Sequence, residues 1–184
     1  MDTKKKKLIL AIFISFLMIS SIAGFITLPA NENNFEIKIY KGLEFSNINN
    51  KWVYLLNNNP IPLSFDPELL QEQDVISSSE LNSAGKIYVS SDQEESNNLI
   101  YQELNILTQL LIPKTVNSCF EDSEKCSKLP LKKCEDAKDL NKVIIIKKEN
   151  NKEIKYRDNC LEIKGSETEI IRFIDQLILS FLIE

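Results

Sequence analysis

Apolar and polar residues alternate at positions 35–40, and a period of two residues is typical of half-buried strands. Residues 51–56, which are rich in aromatic and branched side chains, and residues 61–65 are predicted as two further strands. Gly42 permits a turn or a bulge, and we expect residues 43–45 to continue the first strand. Asparagine-rich stretches at 47–50 and 57–59 mark turns, because asparagine tolerates positive φ. The pattern predicts an antiparallel meander of three strands.

The chain beyond this meander changes between the strand period and the helical period. Strands are predicted at 86–90, 142–146, 153–156 and 160–164, and helices at 67–73, 92–112 and 166–184. Each long helix follows a capping box, Ser91 with Glu94 and Ser166 with Glu169. A hairpin turn is expected at 150–151. We therefore predict an α+β domain of two layers, in which a mostly antiparallel sheet is packed by two long helices.

A long apolar segment precedes this domain. Residues 8–28 contain no charged side chain, and they directly follow four lysines at 4–7. A helix of this length just covers the hydrocarbon core of a bilayer, which is about 30 Å thick. The segment predicts a single transmembrane helix that serves as a signal anchor, with residues 1–30 as cytoplasmic tail and anchor and residues 31–184 as an extracytoplasmic domain. The alternative is a signal peptide cleaved after Ala23, which would release a secreted domain.

Charge and composition narrow the possible functions. The whole chain has a formal charge of −5, and residues 1–7 carry four lysines and one aspartate, so the remainder carries −8. This acidic balance argues against nucleic acid as a partner. The chain has no histidine and only four glycines, which excludes Ser-His-Asp and Cys-His catalysis and glycine-rich phosphate loops. We expect no cofactor.

The four cysteines lie in the predicted extracytoplasmic domain, at Cys119, Cys126, Cys134 and Cys160. An even number of cysteines in an exported domain indicates two disulfides. Three pairings are possible, and the ease of closing short loops favours Cys119–Cys126 with Cys134–Cys160. A zinc site is disfavoured, because these cysteine spacings fit no common zinc motif and the chain has no histidine to share the coordination.

Two acids and two aromatic residues are candidates for a ligand-facing site. Asp66 ends one predicted strand and Asp92 follows another, so the carboxylates would meet if both strands ended at one edge of the sheet. The alternative is that Asp66 belongs to a turn and Asp92 to a helix N-terminus. Trp52 and Tyr54 lie in an aromatic-rich strand, which either binds a glycan or partner strand or forms the core under the helices.

Several segments carry a resemblance to known sequences. They are the lysine-led segment that ends at 21–25, residues 62–67 and 86–90, Asn159 with Cys160, and the last helix with Ile171 and Asp175. In these segments the chain resembles small single-span surface proteins predicted in archaeal genomes. The resemblance implies a location at the cell surface and implies no activity.

Three hypotheses of function follow. The first is a membrane-anchored, non-enzymatic binding or structural component of the cell surface, held in the lipid bilayer by residues 8–28 and contacting an envelope protein or a surface glycan. The second is a carboxylate-dependent hydrolase of envelope polymers, which requires paired acids with at least one raised pKa. The third is an accessory subunit of a membrane complex, since small residues such as Ala23 and Gly24 permit close helix packing.

Overall fold

The structure, a computed structural model, describes residues 36–70, 76–91 and 99–183, which belong to one compact unit, Glu36–Glu184. The strands of this part are β1 Ile37–Tyr40, β2 Leu43–Ile48, β3 Lys51–Leu56, β4 Asn59–Leu63, β5 Lys86–Ser91, β6 Thr115–Ser118, β7 Asn141–Lys148, β8 Glu153–Arg157 and β9 Cys160–Gly165. Its α-helices are α1 Ser78–Asn82, α2 Leu99–Leu110 and α3 Glu167–Ile183.

Strands β1 to β4 form an antiparallel sheet in chain order, which we call the meander. Its three connections are two-residue turns in which both residues have positive φ, namely Lys41 with Gly42, Asn49 with Asn50, and Asn57 with Asn58. Asparagine and glycine adopt this conformation at low cost, and such turns match the twist of the flanking strands. The predicted meander is confirmed with one difference. Residues 43–45 begin a separate strand, because the first turn reverses the chain.

The second sheet has five strands in the order β6-β5-β7-β9-β8, and we call it the mixed sheet. Three of its four pairings are parallel, and only β8 with β9 is antiparallel. The α+β class is confirmed, but two sheets take the place of the one mostly antiparallel sheet that was predicted. The second sheet is mostly parallel because residues 150–151 do not join β7 and β8 as a hairpin. Strand β8 passes to the sheet edge and turns at Asp158 and Asn159, which inserts β9 beside β7.

Helix α3 is the centre of the core. Its buried residues are Ile170, Ile171, Phe173, Ile174, Asp175, Leu177, Ile178 and Leu179. These positions cover more of the helix circumference than one face. Helix α3 accordingly contacts α2, β7 and β9. Its Asp175 also accepts hydrogen bonds from backbone N–H groups just after β4. One hydrophobic cluster therefore joins the inner face of the meander, both long helices and one face of the mixed sheet.

Both favoured cysteine pairs are present. Cys119 is bonded to Cys126 and Cys134 to Cys160, with Cα–Cα distances of 6.0 and 5.2 Å, and no free cysteine occurs in the described part of the chain. The second pair belongs to a small cluster on the other face of the mixed sheet, with Ala137, Val143 and Ile145. The disulfides thus hold a charged connection, which has few apolar side chains of its own, against this face.

Several predictions fall on residues that the structure does not describe. These are the apolar segment 8–28, the cleavage position after Ala23, residues 71–73, Asp92, and the first residues of the helix predicted at 92–112. The described part of the helix predicted at 67–73 is a 3₁₀ turn, Pro67–Leu69, followed by an extended residue. Among the residues described, no helix combines the length and the apolar character needed to cross a bilayer.

Candidate functional site

Two buried carboxylates face each other in the core, Glu103 on α2 and Asp175 on α3. Their exposed fractions are 1% and 0%. Asp175 Oδ2 accepts hydrogen bonds from the backbone N–H groups of Ser64 and Phe65, at 2.7 and 2.9 Å. Glu103 Oε1 accepts hydrogen bonds from the Lys51 ammonium, at 2.6 Å, and from the Ser64 hydroxyl. We call Lys51, Ser64, Glu103 and Asp175 the acid-pair cluster.

Burial raises the pKa of Asp175 to about 8, and the negative charge of Glu103 acts in the same direction. The backbone N–H groups of Phe65 and Ser64 and the charge of Lys51 act against this rise. The raised pKa favours the protonated form of Asp175 at neutral pH. In that state the cluster contains one neutral acid and one ion pair, Glu103 with Lys51.

Asp175 has the raised pKa that a catalytic acid would need, but neither Asp175 nor Glu103 is accessible to a substrate. Lys51 is 34% exposed and lies on the solvent side, whereas the two acids have almost no exposed surface. A polymer substrate cannot contact carboxylates that are packed between helices. The arrangement instead fastens α2 and α3 to the end of β4, because each acid bridges a helix to residues 51–65 of the meander.

The sequence contains a signal for this cluster that was not used. Glu103 lies three residues after Ile100 and directly before Leu104, so it occupies the buried stripe of α2. Asp175 occupies the corresponding stripe of α3, directly after Ile174 and three residues before Ile178. A lone acid within an apolar helical stripe indicates a buried, partnered carboxylate, because an unpaired one would be too costly to bury.

Asp66 has the turn role that the sequence offered as its alternative. Its side chain accepts the Glu68 N–H at 3.0 Å at the start of a 3₁₀ turn, and it forms an ion pair with Lys38. Lys38 also lies 3.0 Å from a Glu68 carboxylate oxygen. Since Asp92 is outside the described residues, the approach of Asp66 to Asp92 stays a prediction.

Trp52 and Tyr54 lie on the inner face of the meander. Trp52 is 6% exposed and belongs to the core, and the half-buried Tyr54 packs against it with its ring 5.6 Å from that of Phe45. The ammonium of Lys38 lies 5.0 Å from the centre of the Trp52 ring and covers it from the solvent side. The face of the meander that a ligand can reach is therefore the opposite one.

This opposite face is exposed and partly apolar. It carries Ile37, Ile39, Ile48, Val53, Leu55, Pro60 and Pro62, and we call it the outer face. The exposed fractions are 58% for Ile37, 69% for Ile39 and 62% for Leu55. Glu44 and Ser46 lie among these side chains on the central strand β2. An apolar patch interrupted by polar groups is typical of an interaction surface.

A second polar cluster joins α1 to the mixed sheet. The ammonium of Lys142, which is 7% exposed, donates to Tyr156 Oη at 2.8 Å and to Asn159 Oδ1 at 3.1 Å. The Tyr156 hydroxyl donates to Glu80 on α1. Burial and the hydrogen bond to Glu80 raise the pKa of Tyr156. A phenol whose proton is held in this way is unsuited to act as a base, and the cluster serves to anchor α1.

Comparison with known proteins assigns this chain to no family, so its class is described from its own structure. No family model, curated protein or solved structure matches the chain. Across the described ranges, no group of three or more acids or cysteines is arranged to hold a metal ion. The described part of the chain is thus a two-sheet α+β domain with two disulfides, a buried acid pair and an exposed apolar face.

Proposed function

We propose that this protein is a membrane-anchored extracytoplasmic domain that acts as a non-enzymatic binding component of the cell surface. The observation that carries the proposal is the outer face, where Ile37, Ile39 and Leu55 are each more than half exposed. Exposing such side chains to water is unfavourable, so they are expected to contact another molecule. The burial of the acid-pair cluster favours this function over hydrolysis of envelope polymers.

Two features support the location. The cytosol keeps thiols reduced, so two cysteine pairs at bonding distance favour an oxidising compartment. The predicted anchor 8–28 is separated from Ile37 by eight residues, 29–36. The predicted anchor would hold the domain at the cell surface, where another envelope protein or a surface glycan can meet it.

The proposal is tested by cross-linking in intact cells that make the full chain. The native chain should be recovered with a neighbouring component, and Leu55→Lys should reduce this recovery several-fold, since a charge in the patch prevents apolar contact. Leu55 is 62% exposed, so the lysine leaves the core unchanged. Leu140→Lys is the matched control, because Leu140 is 66% exposed and lies outside the meander. An equal loss in both variants, or no neighbour for the native chain, would contradict the proposal.

A further inference from the structure

We infer that strand β1 pairs with β1 of a second copy of this chain across a two-fold axis, which joins two meanders into one continuous sheet. The inference rests on the proposed function, because it requires copies that are anchored side by side in one membrane. It identifies the occupant of the β1 side of the outer face.

The two edges of the meander differ in their capacity to accept another strand. Strand β4 forms one edge and carries Pro60 and Pro62, opposite Leu55 and Val53. The turn after β3 places these prolines at positions whose backbone nitrogen faces away from β3. Proline has no N–H, so the β4 edge lacks two of the donors that a further strand would need.

The β1 edge has both donors and acceptors. The two-residue turn makes Tyr40 and Leu43 a hydrogen-bonded pair, and the Asn47 N–H donates to the Glu36 carbonyl at 2.8 Å. Hydrogen-bonded and non-hydrogen-bonded pairs alternate in an antiparallel ladder. The N–H and C=O groups of Ile37 and Ile39 therefore point away from β2, toward an edge with which no strand of the described ranges pairs.

The same two residues have exposed side chains, 58% for Ile37 and 69% for Ile39. Edge strands of soluble domains are commonly protected by proline, a bulge or a charged side chain, including a charge that points inward. Strand β1 has no proline, and the charge of its inward-facing lysine, Lys38, is balanced by Asp66 and Glu68. Within the described residues, the β1 edge thus differs from the β4 edge, because its outward N–H and C=O groups have no partner strand and lie beside apolar side chains.

The β1 edge is complementary to itself. In an antiparallel pair of copies, Ile37 lies opposite Ile39 of the second copy and Ile39 lies opposite Ile37 of the second copy. The outward N–H and C=O groups of both residues are then satisfied, and four isoleucines form one patch on the outer face. Lys38 meets Lys38 of the second copy on the inner face, where Asp66 and Glu68 compensate each charge.

Anchoring of both copies in one membrane explains why a small contact between two β1 strands suffices to hold them together. Stable complexes in solution bury about 1,200–2,000 Å², and two short strands contribute less than that. Copies anchored in one membrane share the same orientation, and their effective concentration is raised. An axis along the membrane normal keeps both N-termini on the membrane side, as the predicted anchor requires.

Pairing of two copies is tested by thiol cross-linking of the full chain in its membrane. One tagged copy carries Ile37→Cys and the other carries Ile39→Cys, and an oxidant joins thiols that are in direct contact. We expect several-fold more cross-linked dimer from this combination than from two Ile37→Cys copies, because directly opposite residues satisfy disulfide geometry and diagonal ones do not. Two Leu55→Cys copies are the control, since Leu55 shares the outer face but lies on β3.

A second variant separates edge pairing from general apolar adhesion. Adding Ile39→Pro to the Ile37→Cys copy removes one outward N–H and leaves the hydrogen bonds to β2, so it should reduce the dimer several-fold. Equal cross-linking by the Leu55→Cys control, cross-linking to a different protein, or no dimer from an exported chain would overturn the inference. The state of the native cysteines distinguishes failure of the β1 pairing from failure of the proposed function. Four reduced native thiols would overturn the proposed function itself, whereas intact native disulfides without a dimer would overturn only the pairing.

Discussion

At the scale of single residues, the energetics of this fold centre on carboxylates that are partnered in different ways. Glu103 is balanced by the Lys51 ammonium, whereas Asp175 is held by two backbone N–H groups and remains beside a like charge. Backbone hydrogen bonds stabilise a carboxylate only in part when it is this deeply buried. Folding therefore favours the protonated form of Asp175.

We predict that the stability of the protein decreases as the pH rises through the neutral range. The pKa of Asp175 is about 8 in the folded state and 3.8 ordinarily, so between these values the folded state keeps a proton that the unfolded chain releases. The free energy of unfolding should fall with increasing pH over this window, by up to about 1.4 kcal/mol per pH unit, and level off above about pH 8. Urea unfolding of the protein at a series of pH values measures the slope.

The Asp175→Asn variant isolates this residue. Asparagine keeps an acceptor for the Ser64 and Phe65 N–H groups but does not titrate, so the slope between pH 4 and 8 should flatten. Glu44→Gln, at an exposed position of β2, should retain the native slope. A native slope in Asp175→Asn would show that other groups produce the pH dependence.

At the scale of elements, local signals determine where strands and helices begin, but long-range contacts determine how they pair. The capping box at the start of α3 was predicted, and the Ser166 N–H and hydroxyl donate to Glu169 Oε2 at 2.9 and 2.7 Å. In contrast, α1 was missed because the four serines in and beside it, at 77–79 and 83, indicate a loop. Strand β6 was missed because it is a short edge strand within a charged stretch.

The two disulfides should contribute unequally to stability. In the chain-entropy model, a loop of 26 residues as closed by Cys134–Cys160 gives about 3.5 kcal/mol, and a loop of seven residues as closed by Cys119–Cys126 gives about 2.4 kcal/mol. We expect the double variant Cys134→Ser with Cys160→Ser to lose about 1 kcal/mol more than Cys119→Ser with Cys126→Ser. Denaturant unfolding of both variants measures the difference, and a larger loss from the short loop would contradict it.

At the scale of the whole molecule, the α+β class, the meander and the cysteine pairs could be predicted, because each depends on short-range features of the chain. Asparagine turns fix the hairpins, and the preference for short loops selects the disulfides. The strand order of the mixed sheet could not be predicted, since β9 joins β7 only after β8 has passed to the edge. The place of each acid in an apolar helical stripe was visible in the sequence, but its partners could not be predicted, because they lie on segments that are distant in the chain.

The proposed extracytoplasmic location yields a prediction for the mature protein as a whole. Under non-reducing conditions its mass should lack two pairs of hydrogen atoms relative to the sequence, and its thiols should react only after reduction. The same spectrum reports whether the chain retains its full 21.2 kDa or has lost the segment before residue 24. Four thiols that react at once in freshly opened cells would place the domain in a reducing compartment.

The position of α3 between the two sheets has a consequence for biogenesis. Every strand that the structure describes precedes α3 in the chain, yet both sheets use this helix to shield their apolar surfaces. If the chain is exported through a translocation pore as proposed, these nine described strands would emerge before the helix that covers them. The nascent domain then needs either rapid delivery of residues 167–183 or a chaperone on the far side that keeps these sheets apart from other chains until the helix arrives.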